Sequence, residues 1–184
     1  MIVAITGMPG SGKSTAAEIL KKKGFKVVEL SDFIKKEMRH RGIEITAKNI
    51  EHFAIAMRKK LGMDMTAKFA IKDISRMRGD IAISGVRDID EVLYMRRKLK
   101  KIIPVIALVA PQRLRYERIK ARARPSDVKS FKEFRWRDNE NKKLGIGRVI
   151  HSADMLVSNS GTRRQLSDNM GRALSMLREK HALS

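Results

Sequence analysis

The hydrophobic positions of the chain gather into five short continuous runs: Ile2–Thr6, Phe25–Leu30, Ile81–Ile83, Ile102–Val109 and Met155–Val157. None alternates with polar residues. A strand covered on both faces reads this way, whereas a strand with one wet face alternates. Pro104 lacks the amide that a ladder needs, so the fourth run is expected to pair only beyond it. Between the runs, apolar residues recur at helical spacing. Ala16, Ile19 and Leu20 share one face of a helix predicted over 13–23, with Gly24 as its stop. Further helices are predicted over 32–41 behind a Ser31 cap, 47–61 behind Thr46, 66–74, 88–100 and 112–122. Ser130 and Thr162 each stand three residues before a Glu or Gln, the spacing of a capping box, and open two more.

Strands alternating with helices predict a parallel sheet with helices on both sides, a three-layer α/β/α fold. Segments 42–79 and 122–150 fall outside that rhythm and read as inserts on one domain. One domain also suits 184 residues at about 150 per domain.

Composition changes this picture in two ways. With no cysteine, disulfide frameworks, thiol nucleophiles and cysteine metal sites are excluded. The four histidines have no metal-ligand spacing, so no zinc site is expected. The formal net charge of +21 favours anionic ligands: nucleotides, nucleic acid or acidic headgroups. It is spread along the chain, and charge alone does not choose among them. No apolar stretch is long enough for a membrane span, and the first residues lack the basic start of a secretory signal. A cytoplasmic protein without a membrane partner is expected.

The sharpest chemical signal is Gly7-Met8-Pro9-Gly10-Ser11-Gly12-Lys13-Ser14, followed by Thr15. It matches G-x-x-x-x-G-K-[ST], directly after an apolar strand and directly before an amphipathic helix. Glycines let successive amides turn inward around a phosphate, and the helix N-terminus points at the same anion. Lys13 is placed to reach the β- and γ-phosphates, and the Ser14 hydroxyl to ligate Mg²⁺.

With this loop opening a short chain, and with Ile83-Ser-Gly-Val-Arg87, Arg122-Ala-Arg-Pro-Ser-Asp127 and Gly145-Ile-Gly147 further on, the sequence resembles the P-loop nucleotide-kinase superfamily. Within it, the chain looks most like the archaeal adenylate-kinase-related, dephospho-CoA-kinase-like family. The resemblance implies ATP and Mg²⁺ as cofactors and a small nucleotide-type acceptor. That acceptor would be a nucleoside monophosphate such as AMP, or dephospho-CoA, bound between the 42–79 insert and Arg87.

The resemblance also assigns roles. Asp32, after the second strand, would act as base or hold Mg²⁺. Arg87, after the third, would grip an acceptor phosphate. Arg118, Arg122 and Arg124 would be lid arginines, with Arg135 and Arg137 as weaker candidates. Asn159 and Gly161, after the fifth strand, would lie beside the adenine. Ser84 stands where many P-loop proteins carry a metal-linked aspartate. His52, Phe53, Met57, Met63, Met65 and Phe69 of the insert stand at helical spacing and read chiefly as core, with lining of an acceptor pocket as the alternative. A second function class remains open on the charge alone: a P-loop NTPase acting on or regulated by nucleic acid. No nucleic-acid-binding motif supports it.

Overall fold

A computed structural model describes residues 1–123 and 127–182. Five strands, β1 (Ile2–Thr6), β2 (Lys26–Glu29), β3 (Ile81–Val86), β4 (Val105–Val109) and β5 (Met155–Ser158), form one parallel sheet in the order β2-β3-β1-β4-β5. The described helices are α1 (Lys13–Lys22), α2 (Leu30–His40), α3 (Ala47–Leu61), α4 (Met65–Arg76), α5 (Ile89–Leu99), α6 (Gln112–Arg122), α7 (Phe131–Lys143), α8 (Ile146–His151) and α9 (Arg163–Ala182). β1 runs through the centre with every residue buried, and its side chains divide between two cores. Ile2 and Ala4 face a layer built by α4, α5 and α8. Val3 and Ile5 face α1 and α9. The strand's period of two thus sorts one apolar run into both halves of a three-layer α/β/α sandwich.

The local signals act where they were expected, with three differences. Thr46 caps α3, and Thr162 and Gln165 exchange the two bonds of a capping box. Ser31 is no cap: α2 starts directly after β2, so Ser31 lies inside its first turn. β3 runs three residues further than its apolar run, through Gly85 at φ +91°, where the β1–β3 register shifts between Ile5 and Thr6. The 42–79 segment is not a free-standing insert. Ala67, Ala70 and Ile74 of α4 belong to the central core, and only α3 rides outside it. Met57, Phe53 and Met65 pack with Ile34 and Met38 of α2, the core reading of those residues, whereas Phe69 is exposed. The described helices include none long and apolar enough to cross a membrane.

Candidate active site

The carboxyl ends of β1, β2 and β3 and the N-terminus of α1 open on one cleft of about 450 Å³. In an open parallel sheet, ligands gather at this edge. The Gly7–Ser14 loop wraps its inner end. Gly12 takes φ +100° and lies against the Asn159 amide, so no Cβ fits there. Gly10, at φ +79°, is pressed on the Arg115 carbonyl in the same way. Lys13 Nζ donates to the Gly7 carbonyl at 2.6 Å and the Met8 carbonyl at 3.1 Å, holding the loop open around its own ammonium. Burial lowers the Lys13 pKa from the ordinary 10.5 to about 7, with Arg87 and Arg137 adding to the effect and Glu29 opposing it.

Around the cleft the structure gathers most of the expected side chains. Gly7, Pro9, Gly10, Gly12, Ser14 and Thr15 line it beside Lys13, as do Arg87, Arg118 and Arg122. Met8 instead turns toward the core, and Ser11 is buried beneath the loop. Arg118 donates to the Asn159 carbonyl at 2.8 Å, and Arg122 forms a two-pronged pair with Asp127 at 2.6 and 2.7 Å. Arg124 lies outside the described residues. Asn159 does not line the cleft: its amide donates to the Ser11 carbonyl at 2.8 Å and braces the phosphate loop from behind. Gly161 sits against Gln165 at the start of α9, also off the cleft.

Asp32 is not brought in. It points out from the first turn of α2, 66% exposed, and pairs with Lys35 at 3.0 Å. Because α2 begins two residues earlier than its pattern suggested, the inward carboxylate is Glu29, the last residue of β2, which lines the cleft and acts on Lys13.

Sequence reasoning missed the group at the centre. Glu51 of α3 is fully buried and bonds Arg87 at 2.9 Å and Arg137 at 3.1 Å. Asn141 reaches the same carboxylate at 3.3 Å. Burial pushes the Glu51 pKa up, but the two guanidiniums outweigh it and hold the carboxyl below its ordinary value. One acid therefore fixes an arginine from the end of β3 and one from α7 at the mouth of the same cleft. Arg137 thus belongs with the leading candidates. Arg115 was also passed over. It is buried, bonds Asp138 through both terminal nitrogens at 2.8 and 2.5 Å, and donates to the Pro9 carbonyl at 2.8 Å. It ties α6, α7 and the phosphate loop into one block.

Hydroxyl and carboxylate donors around the loop suit a hard cation. Ser14 opens α1, Glu29 faces it across the cleft, and the buried Ser84 hydroxyl has no partner. Among the described residues no cluster of three metal-binding side chains exists. A cation here would be carried largely by phosphate oxygens and water, which is how Mg²⁺ is usually held beside nucleotides.

The class defined by this fold and loop is that of the P-loop NTPases, and a family model described as AAA domain matches residues 3–144. Relatives covering most of the chain narrow this. A UPF0200 protein of Thermococcus gammatolerans is 39% identical over 90% of this chain and 89% of its own, and one of Thermococcus kodakarensis is 38% identical over 90% and 91%. The chain belongs to the UPF0200 family. Solved P-loop kinases share its fold. A shikimate kinase from Acinetobacter baumannii, in complex with shikimate, superposes with a TM-score of 0.62 at 15% identity, covering 97% of this chain and 93% of that one. A gluconokinase from Sinorhizobium meliloti gives 0.54 at 15%, covering 97% and 95%.

Proposed function

We propose that this protein transfers the γ-phosphoryl group of ATP to a small nucleotide-type acceptor, a nucleoside monophosphate or dephospho-CoA. The observation that carries the reading is the convergence on one cleft of a phosphate-cradling loop, Lys13, Arg87, Arg122 and Arg137, with Glu29 opposite. Loop amides and Lys13 bind the β- and γ-phosphates, leaving the γ-phosphorus facing the Arg87 side. Ser14 and Glu29 would hold Mg²⁺, directly or through water; when bound it neutralises charge on the transferring group. Arg122, clasped by Asp127 beside the lid segment, meets charge developing on the equatorial oxygens. Glu29 is the carboxylate placed to orient an attacking oxygen, the role assigned from sequence to Asp32. Catalysis is then positioning and charge stabilisation.

The test measures ATP consumption with Mg²⁺ against AMP, CMP, UMP, GMP, dephospho-CoA, shikimate and RNA, with products identified by mass. Phosphorylation of one nucleotide acceptor, abolished in a folded Lys13→Ala variant, is expected. Hydrolysis stimulated only by RNA, with no small phosphorylated product, would overturn the reading in favour of nucleic-acid-linked ATP hydrolysis.

A further inference from the structure

Behind Arg87 a second, small cavity opens under the β3 bulge. Ser31, Ile50, Gly85 and Arg87 line both this cavity and the main cleft, so the two adjoin. Its volume is about 20 Å³, room for one or two water-sized groups. Leu30, Ile34, Ile50 and Ala54 form apolar walls. Two buried polar side chains share the lining: Arg58 of α3, 4% exposed, and Thr66 of α4, 2% exposed.

Arg58 is half used. Its Nη2 donates to Glu91 at 3.0 Å, but Nε and Nη1 are buried without a partner, and so is the Thr66 hydroxyl. Buried donors are normally satisfied, and an unpaired guanidinium face is costly to leave so.

We infer that this cavity admits one or two oxygens of a compact oxyanion carried by the acceptor, a carboxylate or a phosphate monoester, held by a free N–H of Arg58 and by the Thr66 hydroxyl. The inference rests on the phosphotransfer reading and narrows its acceptor to a molecule with an anionic tail and a slim apolar waist. The cavity is far too small for a nucleobase, so a nucleotide acceptor would enter phosphate first. With Nη2 on Glu91, the free Nε and Nη1 of Arg58 lie on different edges of the guanidinium, so one of their N–H groups acts together with the Thr66 hydroxyl on the anion's oxygens.

The experiment follows the arginine Nε–H resonances of the full chain by NMR, saturated with Mg²⁺ and the non-hydrolysable analogue AMP-PNP. The protein is titrated separately with sodium acetate, inorganic phosphate and neutral glycerol. The Arg58 signal is identified by its loss in Arg58→Lys. Because that change disturbs a buried pair, Thr66→Val, which keeps Arg58 bonded to Glu91, supplies the second variant. Saturable movement of the Arg58 signal is expected with acetate or phosphate and not with glycerol; the tighter anion distinguishes carboxylate from phosphate. Thr66→Val should weaken that binding about three- to tenfold, the worth of one hydrogen bond. An Arg58 signal unmoved by either anion, while amides of residues 7–14 respond to AMP-PNP, overturns the subsite and leaves the phosphotransfer reading standing. Amides of residues 7–14 unmoved by AMP-PNP would instead count against the nucleotide reading, and titrating the nucleotide-free protein still tests Arg58 by itself.

Discussion

Nucleotide binding should be coupled to proton uptake at Lys13. In the empty cleft its ammonium is destabilised by burial first, then by Arg87 and Arg137, and its pKa falls to about 7. A lysine depressed in this way is charged in only about half the molecules at pH 7 and about a tenth at pH 8. Bound phosphates supply the opposite charge that the cleft lacks, so the pKa returns toward its ordinary value. Each nucleotide bound should therefore take up about half a proton at pH 7 and about 0.9 at pH 8. The sign for affinity follows. Binding is flat below the free pKa and weakens as pH rises above it, by about fivefold from pH 7 to 8 and about tenfold from 8 to 9. Calorimetry of the Mg²⁺–ADP complex in buffers of different ionisation enthalpy reads the uptake directly, since the metal keeps the phosphates deprotonated. The slope of apparent enthalpy against buffer enthalpy gives the proton number, and Lys13→Met should remove it. A slope of zero at pH 8 in the unaltered protein would refute the reasoning: Lys13 would then already be charged in the empty loop.

Three further predictions concern the residues around that lysine. Glu51→Gln leaves two buried guanidiniums facing a neutral amide and should cost about 3–5 kcal/mol in denaturant unfolding. Because Arg87 and Arg137 hold the Glu51 pKa below its ordinary value, its stabilisation is complete above about pH 4 and lost below, so the variant should also flatten the acid side of the stability profile. Arg122→Ala should lower kcat about a thousandfold, the range of a transition-state arginine, with ATP affinity changed less than about threefold; equal losses in both would show it to be a binding group. Asn159→Ala strips the Ser11 carbonyl of its donor and should cost about 1–3 kcal/mol, seen as a lowered Tm.

The frame of this molecule was legible because its signals are local. The five apolar runs, the caps at Thr46 and Thr162 and the phosphate loop are each written within a few neighbouring residues, and each structure forms where its pattern stands. Errors in the site came from shifts of one or two residues. Reading Ser31 as a cap put the start of α2 two positions late and turned Asp32 toward the cleft; with β2 ending at Glu29, the inward carboxylate is Glu29. The same holds for β3, where a Gly85 bulge carries the strand on to Val86 and sets Arg87 at its tip.

Glu51 shows a different limit. In sequence it is one acid on an amphipathic helix, and nothing nearby marks it. Its partners lie 36 and 86 residues away, and its meaning comes from where α3, the end of β3 and α7 meet. The sole available cue is arithmetic: a chain with twice as many basic as acidic residues cannot bury arginines at random, so each buried arginine must be matched by one of a few acids. Glu51, Glu91 and Asp138 are those acids, fully or almost fully buried, and each holds at least one arginine. The surplus of positive charge on the surface attracts anions without choosing among them. The few acids spent inside decide which arginines are fixed, and so which anion finds its donors already in place.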